Sequence, residues 1–435
     1  MTTNGTGLVR TIGRWSLAAL TVNSIIGSGI FGLPSVLAAL LGIYSVGAVL
    51  LAGAAMGVVM LCFAEVSSYF TQAGGPYLYA RTAFGRWAGI QTGWMLWLVR
   101  IAAPAATADL FVTYSAEFWP KATQPLPRFV ILTVLFGIIA VANVRGVRTG
   151  TTVNNAFTIG KLLPLLFVIV AGGVYLAGHH AGGVVGQPAP GMNAWLKTML
   201  PLVFAYGGFE TALTPMGEAS NPRRDAAFGL LAALLTCTII YTLIQWVVVG
   251  VLPDPAHTAR PVADVARVIF GNTGAALVSL GALVSAFGYL SANMLAVPRI
   301  TFALAEGGDF PAVFAAIHAK FRTPYFSIVV YALLTWLLAI LGNFTWNLTL
   351  SAVARLFYYA LGCAALPMLR KKRPGEARFR LPAGPLFAGL GVLICLALIT
   401  RVDLSGSLIL GAIVVIAFLN WLWVRGRKTS PVPIA

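Results

Sequence analysis

Charge is what this chain has least of. Only 9% of its 435 residues are Asp, Glu, Lys or Arg, against about 25% in ordinary soluble domains. No ionised side chain occurs between Arg14 and Glu65. With 59% hydrophobic residues and a mean hydropathy of +0.86, the chain has more apolar surface than one soluble core can hide. The composition therefore requires an integral membrane protein. Cysteine is also sparse: Cys62, Cys237, Cys363 and Cys395 all fall in apolar runs, with no CxxC spacing and no histidine neighbour. That excludes a metal or redox centre and leaves small packing residues. Of four histidines, His179, His180 and His257 are expected on the outside and His318 lies alone in a loop. They form no cluster on which an enzyme's chemistry rests, so no catalytic residue, cofactor or metal is expected.

Acidic residues are scarcer still, 12 against 29 Lys and Arg, for a formal charge of +17. Such an excess suits nucleic acid, but here the cations are spread over short loops without an aromatic-basic motif, so no nucleic-acid partner is expected. No cleavable leader is evident, because the first apolar run continues directly into a second and serves as its own anchor.

Membrane-length apolar runs are abundant. Twelve spans are predicted, at about 15–41, 44–70, 87–116, 128–144, 151–177, 196–218, 225–252, 271–305, 325–341, 345–369, 384–400 and 405–424, a span needing roughly 20 mostly apolar residues. The lipid bilayer is thus the first partner. Twenty cations then fall on the side of the two termini and six on the other. By the positive-inside rule both termini are cytoplasmic, in a plasma membrane. The remaining cations, Arg100, Lys161 and Arg355, fall inside predicted spans.

The polar stretch RKKRPGEARFRLP, Arg370 to Pro382, separates ten spans from the last two. Ten spans invite a search for inverted repeats. Gly27 precedes Pro34 by seven residues in span 1, and Gly208 precedes Pro215 by seven in span 6. The segments PYLYARTAFG and PVADVARVIFG, after spans 2 and 7, both close on Arg-x-x-Phe-Gly and are expected on opposite sides. We therefore expect a ten-helix core over 1–369, with repeats at about 12–177 and 196–369, and a unit over 370–435 holding a cytoplasmic loop, two helices and a tail.

A helix broken by Gly27, Gly29 and Gly32 frees backbone groups that lipid cannot satisfy, so the break lines a cavity unless the glycines serve close helix packing. A half-helix N-terminus suits a carboxylate, and unwound carbonyls suit an ammonium, so a zwitterion fits both. Lys161 stands about ten residues into its run, roughly 15 Å deep at 1.5 Å per residue. An ammonium at that depth must be paired, lose its proton or serve a function.

The motifs IIGSGIFGLP, AGGPYLYARTAFG, FAYGGFE followed by EASNPRR, and GGDFP occur in order along nearly the whole chain. In these the sequence resembles the amino acid-polyamine-organocation permeases. The resemblance implies an all-α, LeuT-like fold of twelve transmembrane helices, with a five-plus-five inverted repeat, discontinuous helices 1 and 6, and alternating access to a central amino acid site. Carried onto this sequence, it implies that Ile26, Gly27, Ser28 and Gly29 meet the substrate carboxylate, with Ile30 beside them in the substrate site. Phe204, Ala205, Tyr206 and Gly207 would meet its ammonium, with Phe204 as an aromatic gate. It further implies that Lys161 takes the place of a coupling sodium ion beside the carbonyls near Ile26 or Gly27. Glu210 would link gate and scaffold, while Glu218 is expected to be an interfacial carboxylate.

Arg100 is open between pairing with an acidic substrate side chain and neutralisation by a protein carboxylate, Asp109 or Glu65. Arg355 is open between a gate contact and a structural pair. Asn293 is either a substrate contact or an interhelical hydrogen-bonder. The small residues Ala102, Ala103 and Ala106 leave room for a side chain. The expected function is a self-sufficient, proton-coupled transporter of neutral L-amino acids that needs no accessory subunit. Exchange without net proton movement is the alternative, and acidic or cationic substrates stand behind neutral ones. A channel would need rings of carbonyls or charges, which are not evident.

Overall fold

The computed structural model describes residues 13–70, 74–146, 151–178, 189–213 and 222–426, without the side chains of 28, 151–159 and 222–224. The expectations for Pro215, Glu218, His179 and His180 lie outside the described residues, as does the side chain of Ser28. The described residues form helices and connecting turns, with no strand among them. Lipid provides no partner for an open N–H or C=O, so an apolar chain of this kind closes its hydrogen bonds within helices.

In chain order these are α1 (Arg14–Ile25), α2 (Leu33–Leu41), α3 (Ser45–Ser67), α4 (Gly75–Phe84), α5 (Arg86–Ser115), α6 (Pro125–Val144), α7 (Thr151–Gly178) and α8 (Met192–Tyr206). There follow α9 (Phe209–Ala212), α10 (Pro222–Val251), α11 (Pro261–Glu306), α12 (Tyr325–Leu341), α13 (Phe344–Lys372), α14 (Gly384–Ile399) and α15 (Leu404–Val424). Among the described residues, eight helical segments are long and apolar enough to cross a membrane, and α12 and α14 are shorter apolar helices. The eighth predicted span differs from the structure at its start. Its helix begins ten residues earlier, at Pro261, and turns at Gly271, whose φ of 66° a side chain rarely adopts.

The helices sort by what they face. In α5 the most apolar stretch is 78% buried and in α15 it is 17% buried, so α5 is central and α15 peripheral. α13 lies against α5 and α14, α10 against α3 and α1, α11 against α7 and α5, and α2 against α8. The outer surface is apolar, with Leu126, Val174, Leu386 and Leu404 all more than 70% exposed. Patches of this kind belong against lipid.

Buried carboxylates pin the helices at both ends. Asp309, in GGDFP, accepts from Arg81 Nη1 at 2.8 Å and Arg86 Nε at 2.9 Å, and from the Tyr77 hydroxyl. Two stretches quoted above for their sequence, PYLYARTAFG and GGDFP, thus meet in one ion cluster. Beside it, Asn420 of α15 donates to the Asp309 carbonyl at 2.7 Å. Glu65 accepts from Arg370 Nε at 2.6 Å, Arg370 Nη2 at 2.7 Å and the Leu381 N–H at 2.8 Å. Asp109 accepts from Arg128 Nη2 at 2.7 Å, and that guanidinium also bonds the Ala339 and Gly342 carbonyls.

Glu65→Ala leaves the Arg370 guanidinium and the Leu381 N–H without their acceptor. Breaking a buried pair from one side costs about 3 kcal/mol. The variant should melt at a distinctly lower temperature in detergent than the parent, whereas an unchanged melting curve would show that the cluster does not hold α3 to α13.

Candidate functional site

Two helix breaks meet in the middle of the bundle. α1 ends at Ile25; Ile26 (φ −71°, ψ 87°) then makes a three-residue turn in which the Gly27 N–H donates to the Ile25 carbonyl at 2.8 Å. Gly27 is extended, Ser28–Phe31 form a short 3-10 turn, and α2 starts with Pro34 at its second position, where a missing N–H costs nothing. In the second break, α8 ends at Tyr206, Gly207 is extended and Gly208 has φ 110° before α9. A Cβ on Gly208 would collide with the Ser24 carbonyl, so glycine is required there both by backbone angle and by the close approach of α1.

Three side chains from outside the breaks satisfy what the breaks leave open. Lys161 Nζ, from α7, donates to the carbonyls of Asn23 and Ile26, each at 2.6 Å. The last carbonyls of a helix have no partner within it, and a three-donor ammonium takes two of them. The Tyr241 hydroxyl, from α10, lies 3.0 Å from both the Ile25 and Ala205 carbonyls and so touches both breaks. Glu210, 2% exposed in the first turn of α9, accepts from the Gly208 N–H at 2.9 Å, Tyr358 at 2.8 Å and Tyr359 at 3.1 Å, and pairs with Arg355 of α13.

Between the breaks lies a cavity of about 1150 Å³ of atom-free space, solvent-connected space included. Gly27, Gly29, Ile30, Phe204, Ala205 and Gly207 line it, together with Lys161, Arg100, Asn293 and Arg355. The Phe204 ring rests on Gly29, where a Cβ would stand 2.6 Å from it. Ile26 and Tyr206 are not on the wall, contrary to expectation. Both are fully buried; the Ile26 carbonyl is bound to Lys161, and the Tyr206 hydroxyl donates to the Val49 carbonyl of α3 at 3.0 Å.

The intramembrane charges resolve unevenly. Arg355 is in a structural pair with Glu210. Neither carboxylate expected for Arg100 is free to meet it, since Asp109 is bound to Arg128 and Glu65 to Arg370. Arg100 Nη2 donates instead to Thr211 Oγ1 at 2.7 Å, and among the described residues it has no ion pair. Sequence reasoning missed Tyr241, Tyr358 and Tyr359. The last two could have been found from their spacing, three and four residues after Arg355, which puts all three on one helix face.

A helical membrane protein with a charge-lined cavity between two interrupted helices has the build of a transporter. The profile of the amino acid permease family matches residues 12–429, and the chain belongs to that family; it is a multi-pass membrane transporter, not an enzyme. It is 28% identical to the serine/threonine exchanger SteT of Bacillus subtilis over 403 residues, covering 90% of this chain and 91% of that protein. It is 27% identical to the branched-chain amino acid permease BcaP of Bacillus subtilis over 440 residues, 95% and 91% of the two chains. Identity to the methylthioribose transporter of the same organism is 26% over 417 residues, 89% and 87% of the two.

Tyr241→Phe removes the hydroxyl shared by the two breaks and takes the donor from the buried Ala205 carbonyl, while the Ile25 carbonyl keeps the Gly27 N–H, at a cost of about 1–3 kcal/mol. A lower melting temperature of the purified variant is expected. Melting indistinguishable from the parent would mean that the hydroxyl holds neither break.

Proposed function

We propose that the chain is a secondary active transporter that carries neutral L-amino acids across the plasma membrane by alternating access, coupled to protons. The observation that carries this reading is the pair of helix breaks on one cavity, with Lys161 on the carbonyls of the first. In this reading the chain spans the membrane twelve times with both termini cytoplasmic. Helices 1–5 and 6–10 are inverted repeats over about 12–177 and 196–369, and the unit from 370 onward stands outside the core. No accessory subunit is needed.

The substrate's carboxylate takes the backbone N–H groups of Ser28 to Ile30, at the start of the 3-10 turn, where helix geometry leaves donors unpaired. Its ammonium takes carbonyls at the end of α8, around Phe204 to Gly207, under the Phe204 ring. When Lys161 is protonated it holds the end of α1. When the proton leaves, the Asn23 and Ile26 carbonyls lose two charge-assisted bonds, and the balance between outward-open and inward-open states moves. Arg100, with no carboxylate partner among the described residues, disfavours cationic substrates. Exchange is the second reading, favoured by the likeness to a serine/threonine exchanger.

Proteoliposomes test both. Uptake of labelled alanine should rise when the outside is made acid relative to the inside, and Lys161→Ala should abolish that rise while the folded protein remains in the membrane. Uptake that ignores the gradient and strictly requires internal amino acid would replace symport by exchange.

A further inference from the structure

The cavity wall has an acceptor with nothing to accept. Asn293, on α11, is 6% exposed and lines the cavity. Its Nδ2 donates to the Tyr289 carbonyl at 2.9 Å, four residues back. That bond fixes the amide, because the reverse orientation would set oxygen against oxygen. Oδ1 is therefore the free end, and among the described residues it has no hydrogen-bond partner. A buried acceptor of this kind costs free energy until a donor arrives.

The same cavity holds the complementary group. Arg100 lines it from α5, is only half-buried, and spends one bond on Thr211. A guanidinium has five N–H donors, so it has donors to spare. The residues one helical turn to either side of Asn293 on the wall, Tyr289 and Ala296, and the adjacent Ala292, include two alanines that leave space beside the amide. Ser285, also orphaned on this wall, lies eight residues away, about 12 Å along the helix, too far to share a short side chain with Asn293.

We infer that Arg100 and Asn293 form a side-chain subsite for amino acids bearing an uncharged polar group that both donates and accepts: a carboxamide first, a hydroxyl second. The inference rests on the amino acid transport proposed above and narrows it. A carboxamide oxygen accepts from Arg100 while its NH2 donates to Asn293 Oδ1. An aliphatic side chain leaves both protein groups unmatched. A carboxylate satisfies Arg100 but meets Asn293 oxygen to oxygen, and an ammonium satisfies Asn293 but meets the guanidinium charge to charge. The site thereby rejects by lost partners more than by size.

Asparagine, leucine and aspartate have nearly the same shape and separate these cases, with threonine and valine as a second isosteric pair. In proteoliposomes containing the full chain, asparagine should compete with labelled alanine uptake at about tenfold lower concentration than leucine or aspartate. Threonine should outcompete valine by a similar factor. Asn293→Leu should bring the asparagine-to-leucine ratio close to one, and Arg100→Gln should lower it too. Ratios taken within one preparation do not depend on how much protein folds. Leucine equal to or better than asparagine in the parent protein, or aspartate better than asparagine, overturns the inference, as does an unchanged ratio in Asn293→Leu. Absence of uptake of any amino acid overturns the transport reading itself and this subsite with it, an outcome distinct from transport with the wrong preference.

Discussion

Everything in the centre of this molecule depends on what satisfies the carbonyls at the end of α1. In water a frayed helix end bonds to solvent, but inside a bilayer each open carbonyl needs a protein donor. Lys161 supplies one for Asn23 and another for Ile26 from a different helix. A main-chain ladder is thereby replaced by a side chain that carries a charge. The replacement differs from a helical hydrogen bond in one respect: a proton can be removed from the ammonium, whereas the backbone amide it stands in for keeps its own.

The second break is braced by different chemistry. Glu210 collects donors from its own backbone neighbour Gly208, from two tyrosines and from Arg355, so its charge is neutralised and its lone pairs are used. A buried pair with its remaining valences filled escapes much of the desolvation penalty that makes lone charges so costly. The two breaks are therefore not equivalent. One is held by a cation on carbonyls and the other by an anion on donors, and Arg100 lines the cavity between them with no ion pair among the described residues.

Much of this was legible in the sequence, and the reasons are specific. Span positions followed from the near absence of charge, since lipid tolerates few ions and Arg100, Lys161 and Arg355 stood out against an apolar background. The breaks followed from Gly27 and Gly208, whose positions mark where helix could not continue. Partnerships were less legible. Asp109 and Glu65 were plausible counter-ions for Arg100 by type and depth, but Arg128 and Arg370 reach them from other helices, and sequence gives no azimuth for a side chain on a helix that is apolar all round. For the same reason Ile26 and Tyr206 looked like cavity wall and prove to be core. The ends of α11 were blurred because Gly271 allows two helical segments to run on through a bend without an apolar gap.

Tyr241 touches the Ile25 and Ala205 carbonyls at the same distance, 3.0 Å. A phenol has a single proton, so the two carbonyls share that one donor, the Ile25 carbonyl having the Gly27 N–H besides. Any motion that draws α8 away from the ring concentrates that proton on α1, and the reverse motion returns it. The hydroxyl thus acts as a balance arm: it opposes simultaneous departure of both half-helices far more than the departure of either one.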